Sequence, residues 1–299
     1  MRLAYYALAI FCFSTSVDAQ TTSNVFVCKN VETPTFSELT IQGPVNVVIN
    51  TSQINASAPS LQIFGDPKTA SIVTWEVKNK ILTLGTKWDY RPHRSDYLTI
   101  KVNITPAQLK QISFYSNGSL LGRGLTGSLS LVSKGNGSIK LYNNKLNLKS
   151  LYTQGQSNIE LYHINSTNLI IKGENDGKIK IEGEAAIQTI NLTGTGNVMI
   201  YWVNTPYLKI NASGTENIFL AGVAKTLDVQ LTQESRLLAK QLRADNGFVK
   251  TRNQALAEIT TINQLNALAK NNSVIYYSKT VNFINSFTQN SGLILAQHD

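Results

Sequence analysis

The sequence predicts an all-β protein wound as a single-chain parallel β-helix, a solenoid with coils of about 19 to 20 residues. Three observations carry this prediction. From about Phe114 onward a short alternating strand, a turn of Gly, Asn or Ser and a second alternating strand recur, as in LSLVSKGNGSIKLYNNKL from Leu129 and LIIKGENDGKIKIEGEA from Leu169. The first apolar residue after each turn falls in one column, Ile139, Ile159, Ile179, Val198 and Ile218. Two residues on, a second column holds Leu141, Leu161, Ile181, Ile200 and Leu220. Strand side chains alternate with period two, so both columns face one side, and stacked β-branched residues suit a parallel sheet buried on its inner face. A unit this short cannot bury its apolar face alone and must stack on its neighbours.

The elements follow in chain order. Residues 1–19 combine the basic Arg2, an apolar run over 3–13 and the small residues Val17 and Ala19 around a cleavage position, which is the pattern of a signal peptide and so of export. That run is shorter than the roughly 20 residues a membrane span needs, and no later apolar stretch is long enough either. Residues 20–35 form an N-terminal extension. It contains Cys28, which would be the sole thiol once Cys12 leaves with the signal: an inert cysteine, or one end of an intermolecular disulfide.

Residues 36–299 read as one β-helix domain. Its first part, 36–105, holds strands at irregular spacing, with a hairpin over 77–82 whose tip is polar. KWDYRPHRSDY, between two of these strands, reads as a loop. Residues 106–299 are the regular coils. The strand ahead of each turn offers a third inward set, Val132, Tyr152, Ile171, Leu192 and Ile210. In the turns, Asn117, Asn136, Asn175, Asn253 and Asn271 recur near one level, where stacked amides can hydrogen-bond along the rod. Gly118, Gly137, Gly177, Gly196 and Gly214 accompany them, as residues able to adopt positive φ. After Val223 the alternation blurs: Leu237 competes with Leu238 for the inward place, and Leu256 with Ile259. Coils remain the expectation there, with short helix over 237–242 and 254–268 as the alternative, because Leu, Ala, Lys and Gln favour helix.

From Phe36 onward the chain resembles the bacterial GIN-domain family, whose members are described as autotransporter adhesin heads. The likeness rests on FSELTIQGPVNVVI, the hairpin WEVKNKILTL, the phrase YLTIKVNITPAQLKQISFYSNGSL leading into the coils, and the units GNG (135–137) and GTG (194–196). The resemblance implies an exported right-handed parallel β-helix with an adhesive role, a label that itself rests on inference. It supplies no catalytic residues.

Composition narrows the function classes. A formal charge of +9 and a pI near 9.4 favour encounter with anionic glycans, lipopolysaccharide or membranes. Lysines are scattered, no nucleic-acid-binding signature occurs, and nucleic acid is not expected as a partner. The three histidines, His93, His163 and His298, lack neighbours at zinc-ligand spacing, and no nucleophile elbow, P-loop or H-E-x-x-H is present. No metal or cofactor is implied. The densest acidic group, Glu174, Asp176, Glu182 and Glu184, has no recognisable calcium loop. The outward column Lys140, Glu160 and Lys180 reads as cross-strand ion pairing.

Binding residues are easier to nominate. Tyr142, Tyr162 and Tyr201, with Trp202 beside the last, form an outward aromatic stripe of the kind on which sugar rings stack. The loop residues Trp88, Tyr90, Arg91, His93 and Arg94 mix aromatics with cations, which suits an acidic glycan. The expected function is an exported, non-catalytic binding protein whose partner is a surface glycan or an envelope or host protein. The alternatives are a structural component of the bacterial envelope and a polysaccharide-cleaving β-helix enzyme. Open rod ends invite pairing, so a homodimer is a further expectation.

Overall fold

The computed structural model describes residues 27–51, 58–87 and 98–297. Residues 1–19, read above as a signal peptide, most of the segment KWDYRPHRSDY and His298 lie outside the described residues. The chain is 76% strand and forms a β-solenoid of about 10 turns.

The regular coils run from β10 (Ser128–Lys134) through β11 (Ser138–Gly155), β12 (Asn158–Asn175), β13 (Lys178–Gly194), β14 (Asn197–Gly214), β15 (Asn217–Leu231), β16 (Arg236–Arg252) and β17 (Leu256–Lys270). They end in β18 (Val274–Ser278), β19 (Phe283–Gln289) and β20 (Leu293–Gln297). Each long strand bends at register breaks, so a coil has two long sides and a short third side, exemplified by the pairing of Ile164, Asn165 and Ser166 with Gly183, Glu184 and Ala185. All pairings between successive coils are parallel.

The two columns after the turn stand as the spacing predicts. Ile139, Ile159, Ile179, Val198 and Ile218 pair in register, one above another, and all are fully buried. Leu237, Ala257 and Ile275 continue the column. Ile259 is inward in its coil, while Leu238 and Leu256 are half-buried on the outer side. The helical alternative is therefore overturned, since 237–242 and 254–268 lie within strands β16 and β17 or the turn between them. Burial of an alternating face outweighs the local helix preference of Leu, Ala and Lys.

In the third column Ile171 and Ile210 stand as expected, whereas Val132 and Tyr152 are each one residue past the true inward position and Leu192 is two past it. The buried stack is Leu131, Leu151, Ile171, Ile190, Ile210, Val229 and Val249. Tyr152 and Val132 point outward, Tyr152 under the Lys134 ammonium, and Leu192 belongs to the next inward position. The glycine reading is corrected as well. Of the five turn glycines only Gly214 has a positive φ, +93°. The other four are fixed by close approach, because a Cβ at Gly118, Gly137, Gly177 or Gly196 would overlap atoms of the preceding coil.

The N-terminal strands are threaded out of order. The coil of β2 (Glu38–Gln42) and β3 (Asn46–Thr51) lies between the coil of β8 (Gln111–Tyr115) and β9 (Ser119–Arg123) on one side and that of β6 (Ile81–Thr86) and β7 (Leu98–Ile104) on the other. Beyond β6 and β7 the rod is closed by antiparallel strands: β5 (Val73–Lys78) on β6, and β4 (Ser60–Gly65) followed by β1 (Val27–Glu32) on β7. The β5–β6 hairpin turns through Asn79 and Lys80, both with positive φ, the two-residue geometry that matches strand twist. Helix α1 (Pro67–Ser71) is capped by the Asp66 carboxylate, which accepts from the Lys68 and Thr69 amides.

Candidate functional site

Outward positions on the first long side carry the stripe. Tyr142 and Tyr162 are in register, with rings parallel to within 3° and centroids 4.8 Å apart. The Arg123 guanidinium lies 5.9 Å from the Tyr142 ring and the Lys180 ammonium 5.5 Å from that of Tyr162. The four side chains form a ladder of cation, two rings and cation. Its ring faces are engaged within the ladder, so the stripe here offers hydroxyls and ring edges rather than open aromatic faces. The predicted ion pairing is present between Lys140 and Glu160 at 3.2 Å, whereas Lys180 pairs with Glu182.

The ladder sets its own protonation. Burial pushes the Glu160 carboxyl up, but the hydrogen bond from the Tyr162 hydroxyl at 2.8 Å, aided by Lys140, outweighs it and holds the group below its ordinary value. The same hydrogen bond raises Tyr162. Both residues are thereby fixed as a charged acceptor and a neutral donor at neutral pH.

Trp202 is different in kind. It is 74% exposed, and its φ is +69°, in the left-handed region. Five successive coils turn this corner through such a residue: Lys145, His163, Gly183, Trp202 and Gly222. An L side chain there costs on the order of 1 kcal/mol. The neighbouring coils place glycines at the same corner, and the missing side chains leave a cavity of about 570 Å³ lined by Gly183, Glu184, Trp202, Val203, Asn204, Gly222 and Val223. Along it the Asn204 amide donates to the Glu184 carboxylate at 3.4 Å. Val223, 40% exposed, adds apolar surface.

The structure thus keeps Tyr142 and Tyr162 together and sets Tyr201 and Trp202 farther along the rod. Trp88, Tyr90, Arg91, His93 and Arg94 lie outside the described residues. A cavity of about 610 Å³ lined by Gln42, Gly43, Pro44, Thr74, Thr83, Gly85, Thr86 and Lys87 adjoins the residue where that segment begins, but its lining is threonine and glycine rather than aromatic. Val223, Asn204 and Gly222 were not nominated from sequence. The available signal was a Trp at a coil corner whose neighbours carry Gly at that corner.

The acidic group is dispersed. Asp176 accepts from Thr195, Glu182 pairs with Lys180, and Glu184 faces Asn204. Among the described residues no three His, Cys, Asp or Glu side chains converge, and no helix is long and apolar enough to cross a membrane.

The chain is similar to known proteins in sequence pattern and in fold. The sequence profile of the family described as "Putative auto-transporter adhesin, head GIN domain" matches residues 35–218 and 190–280. A "putative adhesin" from Parabacteroides distasonis superposes with a TM-score of 0.54 at 14% identity, covering 92% of this chain and 98% of that one. A "putative adhesin" from Parabacteroides merdae gives 0.48 at 15% identity over 91% and 96%, and a "Putative lipid binding protein" from P. distasonis gives 0.45 at 16% over 91% and 97%. No curated protein matches the chain. With the match spanning most of the β-helix, the chain belongs to the GIN-domain family of auto-transporter adhesin heads.

Proposed function

We propose that this protein is an exported, non-catalytic adhesin that holds a surface glycan against Trp202. The observation that carries the reading is an indole 74% exposed on a strained corner of a rigid rod. Such an aromatic has little to gain from its own fold, and a sugar ring stacked on it would gain apolar contact. Glu184 and Asn204, beside it in the cavity, supply an acceptor and a donor for hydroxyl groups. The volume falls within the range of small-ligand sites. The net charge of +9 assists encounter with an anionic surface.

Cleavage of the glycan is a poorer fit. Glycosidases work with two carboxyl groups about 5 to 9.5 Å apart, and the cavity lining includes one, Glu184. A glycan array run with the wild type and with Trp202→Gly tests the proposal. The expected result is binding to a subset of glycans that falls at least about tenfold in the variant, in line with an aromatic anchor. Equal binding by both proteins would sink it. New reducing ends or unsaturated products after incubation with polysaccharides would show an enzyme instead.

A further inference from the structure

The two ends of the rod are finished differently. At the N-terminal end the outermost strands carry charge: Lys29 and Glu32 on β1, Glu76 and Lys78 on β5. Charged residues on an edge strand are a common guard against edge-to-edge pairing. At the other end, β19 pairs with β17 and β20 with β18, and among the described residues no strand covers their outer edges. Residues 280–297 contain no Asp, Glu, Lys or Arg, in a chain of net charge +9.

The exposed apolar surface is concentrated here too. Phe283 is 74% exposed, Phe287 61%, Leu293 49%, and Ile284 and Leu295 41% each. Ile284 continues the inward column above Leu265, and Ile294 that above Ile275. Among the described residues the dry interior therefore opens at this end. The end combines two unguarded strand edges with the unroofed top of the core.

We propose that this end is a self-association surface, joining two copies of the chain end to end about a two-fold axis. The occupant follows from geometry. Both β19 and β20 need a partner, and a single inserted strand would cover only one of them. A second copy brings two edges with the same spacing and length. Turning a copy over reverses the sense in which its chain circulates, so strands that meet run antiparallel. An axis bisecting the two long sides sets β19 of each copy on β20 of the other, a closed isologous contact. Two chains of charge +9 repel elsewhere, whereas residues 280–297 bring no Asp, Glu, Lys or Arg side chain to the contact. Because the opposite end is closed by charged antiparallel strands, growth stops at two.

The contact is small. Strands of five to seven residues at about 3.4 Å each, on two sides of one coil, bury on the order of 500 Å² per copy, at the low end for specific complexes. A concentration-dependent dimer is expected. Sedimentation velocity on the purified protein across low to high micromolar concentration, with Phe283→Lys/Phe287→Lys beside the wild type, provides the test. Both phenylalanines are exposed in the single chain, so the double variant should keep its circular dichroism and melting temperature. The wild type should shift from one chain mass to two as concentration rises. The variant should remain at one, and amide exchange across 283–297 should slow with concentration only in the wild type. A wild type that stays monomeric throughout, a dimer that survives the double substitution, or species larger than two would each overturn the proposal.

Discussion

Asn175 reaches over one whole coil to Glu216: its side-chain amide donates to the Glu216 carboxyl at 3.4 Å across 41 residues of sequence. Both side chains are fully buried. The reach is open because Gly196 occupies the intervening turn, where a Cβ would run into the Asn175 amide. The other carboxyl oxygen of Glu216 has no hydrogen-bond partner among the described residues. Burial, with a smaller contribution from the negative Asp176, outweighs the Asn175 hydrogen bond and pushes this carboxyl up to about 7.

The first prediction follows from that shift. Unfolded, Glu216 titrates at its ordinary 4.5, so between about pH 4.5 and 7 the folded chain holds a proton the unfolded chain has released. Stability from this group is therefore complete below 4.5, falls as pH rises through 7, and levels off above, a loss of about 3 kcal/mol. Urea unfolding of the wild type and Glu216→Gln at pH 4.5 and pH 8 measures it. The variant should be the more stable of the two at pH 8 and show less dependence between those values; parallel pH profiles would refute the assignment.

Gly137→Ala should destabilise the rod by about 2 kcal/mol, because the added methyl must displace the Gly118 carbonyl or the Phe114 ring of neighbouring coils. Gly137 lies in a turn and has no positive φ, so the smaller backbone entropy that alanine loses on folding would by itself predict the opposite sign. The midpoint of urea unfolding decides between them.

Much of this fold was legible because a solenoid repeats one requirement, an apolar residue at the same place in each coil. Ile139, Ile159 and Ile179 meet it with the same residue, and the column could be read without a structure. Tyr152 misled because an outward position was filled by an aromatic one residue away from the true inward Leu151. The threading of β6 and β7 outside β2 and β3 left no periodic trace, since Glu38 pairs with Ile81 through contacts that no spacing rule encodes. Asn175 looked like a member of the outer turn ladder. It turns inward because Gly196 vacates the space, while the observed outer ladder joins Asn253, Asn271 and Asn290. Trp202 was legible as an exposed aromatic. Its cavity was not, because that depends on glycines brought beside it by coils of slightly different length.

Tyr162→Phe should raise the Glu160 titration midpoint. The Tyr162 hydroxyl is the foremost of the hydrogen bonds that hold Glu160 low against burial, and phenylalanine keeps the ring stack with Tyr142 while removing it. Carbon-detected titration of the Glu160 carboxyl reads the effect. An unchanged midpoint would mean that Lys140 and the Asn158 amide set it without the tyrosine.

Trp202 separates folding from binding in a single comparison. At φ +69° any side chain with a Cβ pays for the left-handed backbone, whereas glycine does not. Trp202→Gly should therefore be more stable than Trp202→Ala by about 1 kcal/mol, less the larger entropy glycine loses on folding. Little else is at stake for the fold, because the indole is 74% exposed. Glycan binding should fall equally in both variants, since both lack the ring. If the alanine variant retained binding, the cavity would be recognising its ligand through Glu184 and Asn204 alone. If it proved as stable as the glycine variant, the corner would not be strained, and an exposed Trp at that place would lose the energetic argument for being kept there for a ligand.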